Sequence, residues 1–116
     1  MAETCDILIS GGGVAGLTAA AVFGDAGFDV ICVDPAPPIT TRDAQGSDLR
    51  TTAILQPARA LLETCGLWER IAPDAAPLRI MRIVDAGGER SEPRIVRDFN
   101  AVDVSDQPFG RNFPNW

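Results

Sequence analysis

The alternation of apolar and polar segments in residues 1–34 predicts a strand, a helix and a second strand. Residues 7–10 form a short apolar run, typical of a parallel strand that is buried on both faces. An alanine-rich segment from 14 to about 26 predicts a helix, and Gly27 ends it because glycine favours the position after a helix C-terminus. Residues 29–34 form the second apolar run, which completes a βαβ pattern.

The pattern beyond residue 34 predicts a loop, a helix and a hairpin. Prolines within 35–38 end the second strand, and the polar segment 39–52 predicts a loop. We expect a second helix to begin near Gln56 and to end at Gly66, followed by a helical turn over 67–71.

Two segments further along have strand composition. Residues 78–85 and 94–99 flank a predicted turn at 86–89, which indicates a hairpin with a loop longer than two residues. The tail, 105–116, is rich in proline and asparagine and has little periodicity, so no element is predicted there.

Composition narrows the classes of function that this chain can serve. The 116 residues are 46% hydrophobic and 22% charged, which is typical of one small globular domain. The net charge of −6 argues against nucleic acid as a partner and against a polybasic membrane anchor. Neither a signal peptide nor a spanning segment is predicted, and a cytoplasmic location is expected.

The residue types present also limit the chemistry. All ten cationic residues are arginine, and histidine, lysine and tyrosine do not occur, so a histidine base or a lysine Schiff base is excluded within this chain. The three cysteines are widely spaced and form no CxxC pair, so we expect no metal site.

One glycine motif carries the candidate chemistry. A G-x-G-x-x-G pattern directly follows the first strand and opens the first helix, which is the context that a dinucleotide-binding turn requires. The first glycine allows the tight turn, the second lets a pyrophosphate approach the backbone, and the third lets the helix pack on the strands. The helix N-terminus attracts the phosphates. The predicted binding residues of this turn are Gly11, Gly13, Val14, Ala15 and Gly16.

Asp34 stands at the carboxyl end of the second strand. A carboxylate there accepts hydrogen bonds from the hydroxyls of an adenosine ribose and disfavours a 2′-phosphate. The small residues Ala20 and Gly27 extend the motif into a longer pattern that resembles the FAD-binding fingerprint of glutathione-reductase-like flavoproteins. We therefore favour FAD, although NAD uses the same phosphate-binding geometry.

The following segment resembles a narrower group. The sequence Asp-Leu-Arg-Thr-Thr-Ala-Ile at 48–54, the Gly-Leu-Trp at 66–68 and the Phe-Gly-Arg-Asn at 109–112 are similar to those of the FAD-dependent aromatic hydroxylases. The resemblance is strongest to the ubiquinone-biosynthesis hydroxylase family, which includes octaprenyl-methoxyphenol hydroxylases. It covers essentially the whole chain. The Asp-Gly motif that those enzymes carry further along is absent here, and the Gly-Asp motif is absent too, apart from a Gly24-Asp25 pair inside the first predicted helix.

This resemblance implies an α/β fold: a Rossmann-like, FAD/NAD(P)-binding βαβ unit with a β-hairpin in an incomplete doubly wound sheet. Residues 1–77 would hold the βαβ unit and the second helix, and 78–116 would belong to the substrate-binding layer. It also implies that Arg50 reaches the ribose and pyrophosphate of FAD, with Gln56 as a weaker candidate contact. We expect the chain to be an N-terminal segment that is inactive alone.

The parent enzyme implied by the resemblance uses NAD(P)H as reductant and hydroxylates a prenylated phenol on the path to ubiquinone. Peripheral contact with the inner membrane would suit such a substrate, and an open sheet edge would favour a homo-oligomer. Three alternatives stay open: another FAD oxidoreductase, a fragment of an NAD-binding dehydrogenase, and a non-enzymatic module that binds a nucleotide.

Overall fold

Parallel pairing of the first two strands builds the βαβ unit. In the computed structural model, which describes residues 3–88 and 92–116, β1 (Ile7–Ser10) pairs in parallel with β2 (Val30–Val33). Helix α1 (Val14–Asp25) connects them. Each of these elements lies within one residue of the predicted bounds, because each rests on a local hydrophobic pattern.

Both longer helices end at a glycine in the left-handed region. Gly27 has φ +92°, and the next N–H, that of Phe28, donates to the carbonyl of Phe23 at 3.1 Å. Helix α2 (Gln56–Thr64) ends in the same way at Gly66, with φ +68°. These turns satisfy carbonyls that a helix end leaves unpaired, as the glycine positions predict. The predicted turn after Gly66 is a short helix, α3 (Trp68–Ile71), continued by a 3₁₀ turn (Ala72–Asp74).

An antiparallel sheet that was not predicted joins two segments from the middle of the sequence to the tail. Strand β7 (Gly110–Pro114) pairs on one side with β3 (Thr51–Leu55) and on the other with β4 (Ala76–Leu78). The prediction of a loop through 52 was therefore wrong, and the tail, for which no element was predicted, contains β7. Gly110 explains why the tail pairs: a Cβ there would overlap the backbone of Ile54, so only glycine permits this approach.

The predicted hairpin is confirmed as β5 (Ile80–Ala86) paired with β6 (Pro93–Asn100). The pairing shifts at Asp85/Ala86, which marks a bulge beside the turn. Residue 89 of the predicted turn lies outside the described residues. A 3₁₀ turn (Ala101–Asp103) leads from β6 towards the tail.

Little of the chain is buried. Among residues 3–88 and 92–116 the buried hydrophobic side chains are Leu62, Trp68 and Ala101. Trp68 packs edge to face on Phe113 with ring centroids 6.0 Å apart, which is a contact between α3 and β7. The radius of gyration is 18.3 Å, against about 13 Å for a compact domain of this length.

The exposed surface area also shows that the chain is less compact than a typical domain of its size. The chain exposes 8828 Å², whereas a compact monomer of 12.3 kDa exposes roughly 6,100 Å². In the described part of the chain, no helix is long and apolar enough to cross a membrane. The architecture is thus a Rossmann-like α/β fold with a separate antiparallel sheet and a protruding hairpin, and the doubly wound sheet stays a prediction.

Candidate functional site

A cavity of about 500 Å³ opens where the glycine turn meets the end of β2. We call one side the near wall; it is formed by the turn, the start of α1 and the segment after β2. We call the other side the far wall; it is formed by residues before and within β3 and by the tail. The near wall is Gly12, Gly13, Val14, Leu17, Asp34 and residues 36–39, and the far wall is Gly46, Asp48, Thr52 and Asn115.

The glycine turn has the close packing that its motif predicts. Gly11 has φ +113°, a conformation that favours glycine, and its N–H donates to the carbonyl of Val33 at 2.7 Å. A Cβ on Gly16 would collide with the carbonyl oxygen of Gly11 and would lie 3.4 Å from Ile9 Cγ2. Gly16 therefore allows α1 to pack directly against the turn.

Gly13 leaves room for a ligand. No atom lies within 4 Å of the position that a Cβ would occupy there, and the residue lines the cavity. Gly13 is the N-cap of the twelve-residue α1, and no side chain caps the helix within the described residues. The first N–H groups and the positive end of the helix dipole are thus available to an anion. This open backbone cradle fits the pyrophosphate of a dinucleotide.

Asp34 is fixed beside that cradle by two backbone bonds. Its Oδ2 accepts the N–H of Gly12 at 2.7 Å, and its Oδ1 accepts the N–H of Ala36 at 3.0 Å. The bond from Gly12, with a smaller contribution from that of Ala36, lowers the pKa of this carboxyl below its ordinary value. Each oxygen keeps acceptor capacity, so an ionised Asp34 can take the hydroxyls of a ribose.

The far wall is a hydrogen-bonded network that joins residues distant in sequence. Asn115 donates from Nδ2 to Asp48 Oδ2 at 2.8 Å, and Thr52 donates from Oγ1 to Asn115 Oδ1 at 2.6 Å. The backbone N–H of Asn115 also donates to the carbonyl of Arg50 at 3.2 Å. Pairing of β3 with β7 creates this wall, since it brings the tail beside the Asp48–Thr52 segment.

Arg50 is tied to Asp48 rather than pointing into the cavity. Its Nε and Nη2 donate to the two carboxylate oxygens of Asp48, each at 2.8 Å. The Arg50 side chain is 84% exposed and that of Asp48 is 35% exposed. This ion pair, led by the side-chain bonds from Arg50, holds the pKa of the Asp48 carboxyl far below its usual range.

Gln56 joins the start of α2 to the segment before β7. Its Nε2 donates to the carbonyl of Pro108 at 2.7 Å, and its backbone N–H donates to that of Phe109 at 3.3 Å. Among the predicted site residues, the cavity is lined by Gly13, Val14 and Asp34, and it is not lined by Gly11, Ala15, Gly16, Arg50 or Gln56.

Sequence reasoning missed all four residues of the far wall, Gly46, Asp48, Thr52 and Asn115. Asp48 and Thr52 belong to the segment 48–54 that resembles the aromatic hydroxylases. From that segment only Arg50 was predicted as a site residue. Asn115 had no signal, because its place depends on the pairing of a tail strand that local pattern does not predict.

A second cavity lies along the hairpin. It is an apolar groove of about 330 Å³ whose lining includes Met81, Ile83, Phe99 and Phe109. Phe113 and Trp116 line a third cavity instead. Four of the five aromatic residues in the second half of the chain, Phe99, Phe109, Phe113 and Trp116, are therefore divided between two cavities. Within residues 3–88 and 92–116, no cluster of metal-ligating side chains is found.

Comparison with known proteins agrees with this geometry. Residues 4–108 match the FAD binding domain family, so the chain belongs to that family. It is also similar to a ubiquinone hydroxylase, UbiL, of Rhodospirillum rubrum, with 35% identity over 85 residues. That match covers 73% of this chain and 20% of the relative, so the aligned part spans about a fifth of the relative's length.

Proposed function

We propose that this chain is the FAD-binding segment of a flavin-dependent monooxygenase that hydroxylates a polyprenyl phenol in ubiquinone biosynthesis. The observation that carries the proposal is the near wall: an open glycine at a helix N-terminus and a fixed carboxylate face the same cavity. Family membership and the similarity to a ubiquinone hydroxylase support the same function.

Six residues of the proposed site have a stated role. The backbone of Gly13 and Val14 receives the pyrophosphate, while Gly11 and Gly16 shape the turn and the helix contact behind it. Asp34 accepts the adenosine ribose hydroxyls. Arg50, paired with Asp48, supplies positive charge beside the far wall. The full proposed set is Gly11, Gly13, Val14, Ala15, Gly16, Asp34, Arg50 and Gln56.

The redox chemistry belongs to the cofactor. Bound FAD supplies the electron transfer and oxygen chemistry that no side chain can provide, with NAD(P)H as the proposed reductant. The residues of this chain would bind and orient the flavin nucleotide. Residues 78–116 are proposed to belong to the substrate-binding layer, which fits the apolar lining of the hairpin groove. Peripheral contact with the inner membrane and homo-oligomer formation through unpaired strand edges are part of the same proposal.

A titration of tryptophan fluorescence with FAD, run beside NADH and NADPH, tests the binding step. Trp68 and Trp116 provide the signal, and Trp116 adjoins the cavity residue Asn115. We expect saturable quenching by FAD and none by the nicotinamide nucleotides. Preferential binding of NADH would favour a dehydrogenase fragment instead.

Gly13→Ala is the matched variant for this titration. The added methyl group meets no protein atom within 4 Å, and the φ of −78° at Gly13 suits alanine, so the fold should be unchanged. The methyl group would occupy the space through which the pyrophosphate approaches. We expect at least a roughly tenfold weaker affinity for FAD, with an unaltered far-ultraviolet circular dichroism spectrum. Equal affinities would argue against binding at this turn.

A further inference from the structure

The charges around the cavity pose a problem for an anionic ligand. Its lining residues include two carboxylates, Asp34 and Asp48, and no cation among the residues that the structure describes. A dinucleotide brings a pyrophosphate with two negative charges into this space. Asp34 has a partner in the ribose, but an unneutralised carboxylate on the far wall would repel the phosphates.

Arg50 neutralises the charge of Asp48, and Asp48 in turn holds the guanidinium in place. The guanidinium is held at two points by the carboxylate, and the backbone N–H of Arg50 donates to Asp48 Oδ1 at 3.1 Å. A bidentate pair of this kind fixes the plane of the guanidinium as well as its position. Without it, a side chain that is 84% exposed would sample many rotamers.

Asp48 is itself held by the tail. The bond from Asn115 Nδ2 occupies Asp48 Oδ2, and Thr52 fixes the opposite end of the Asn115 amide. The amide orientation is therefore set by bonds on both sides, and so is the carboxylate that it contacts. Asp48 has its acceptor positions directed to protein donors, which makes it unsuited to bind a ligand directly.

We propose that Asp48 is a positioning residue: held by Asn115, it fixes the Arg50 guanidinium at the edge of the cavity, where the guanidinium stabilises the phosphates of the dinucleotide. The inference rests on the proposed binding of FAD and adds a residue and a network to that same site. It differs from a direct ligand contact, because Asp48 acts only through Arg50.

A double-mutant cycle distinguishes this role from general support of the fold. The variants are Asp48→Asn, Arg50→Gln and both together, with Asp98→Asn as the matched control. Asp98 makes the same bidentate contact with Arg82, at 2.7 Å for both bonds, but on the hairpin. We expect each single variant at the cavity to weaken FAD binding about tenfold, and the double variant to be no weaker than Arg50→Gln. Asp98→Asn should bind like the unchanged chain.

Competition by ADP and by adenosine supplies a readout that loss of structure would not produce. If Asp48 acts through a phosphate contact of Arg50, Asp48→Asn should weaken ADP about tenfold and leave adenosine unchanged. Equal losses for both ligands, or losses that add in the double variant, would overturn the inference and indicate a purely structural role.

The positioning of Arg50 by Asp48 can be tested even if the unchanged chain binds no FAD, a result that would contradict the proposed function. The Nε–H resonance of Arg50 in a nitrogen-15 spectrum reports directly on the contact with Asp48. We expect it to be displaced from the value of a free arginine, to return to that value in Asp48→Asn, and to stay displaced in Asp98→Asn. A free-arginine value in the unchanged chain would overturn the positioning role.

Discussion

The two walls of the cavity are built in different ways. The near wall comes from residues within 12–39, a single stretch in which the glycine turn, α1, β2 and the segment after β2 follow one another. The far wall joins residues 46–52 to Asn115, and it exists only because β7 pairs with β3. One wall depends on local geometry and the other on a long-range strand pair, so different substitutions should damage each one.

The largest effect is expected from Gly16→Val, which disrupts the packing of the near wall. The new side chain would collide with the Gly11 carbonyl and force α1 away from the turn. We expect the free energy of unfolding to fall by about 3 kcal/mol and FAD binding to be lost. Urea unfolding and the fluorescence titration measure the two effects.

Gly24→Ala is the control in the same helix. No atom lies within 4 Å of a Cβ at Gly24, and alanine is the better helix former by about 1 kcal/mol. This variant should be at least as stable as the unchanged chain. A similar destabilisation by both substitutions would show that the effect is not specific to the contact between Gly16 and Gly11.

A smaller effect is expected from Gly110→Ala, which disrupts the strand pairing that forms the far wall. A Cβ at Gly110 would overlap the backbone of Ile54 and Leu55, so β7 would separate from β3. We expect a loss of about 2 kcal/mol in stability, together with loss of the bond between Asn115 and Asp48. A change in the side-chain amide resonance of Asn115 would report the loss of this bond. The backbone amide resonances of the near wall should stay unchanged. An intact Asn115 resonance would contradict the account of this wall.

Acid should affect the fixed carboxylate of the near wall. The pKa of Asp34 is lowered in the fold below its ordinary value of 3.8, so its stabilising contribution is fully present above that value. It is lost as the pH falls through the lowered pKa. We expect Asp34→Asn to lose less stability than the unchanged chain between pH 6 and pH 2. Parallel losses would mean that the bonds from Gly12 and Ala36 do not favour the ionised form.

The smallest effect is expected outside both walls, at the pair between Arg82 and Asp98. Its side chains are 64% and 37% exposed, and exposed ion pairs contribute little to stability. Arg82→Ala should leave the thermal midpoint and FAD affinity unchanged. A clear loss of FAD affinity would show that the hairpin influences binding at the cavity, which would contradict this prediction.

The same contrast explains how much the sequence could predict. The glycine turn, Asp34, the helices and the hairpin follow from local periodicity and turn residues, and all were found. Strand β7 escaped prediction because a tail with Pro114 and two asparagines has low strand propensity, which tertiary pairing overrides. Strand β3 was missed because its first residues were included in the polar loop 39–52, although Thr51, Thr52 and Ile54 favour a strand. Arg50 was singled out by resemblance. Its contact with Asp48 is local, between residues two apart, but the link from Asp48 to Asn115 depends on the pairing of β3 with β7.

The most direct measurement is a nitrogen-15 spectrum of the chain recorded during titration with FAD. If the cavity binds the dinucleotide, the backbone amides of Gly12, Gly13 and Val14 should shift together with the side-chain amide of Asn115. The amides of the hairpin strands, Ile80–Ala86 and Pro93–Asn100, should stay in place. Shifts confined to the hairpin, or no shifts at all, would contradict the claim that these two walls form an FAD site.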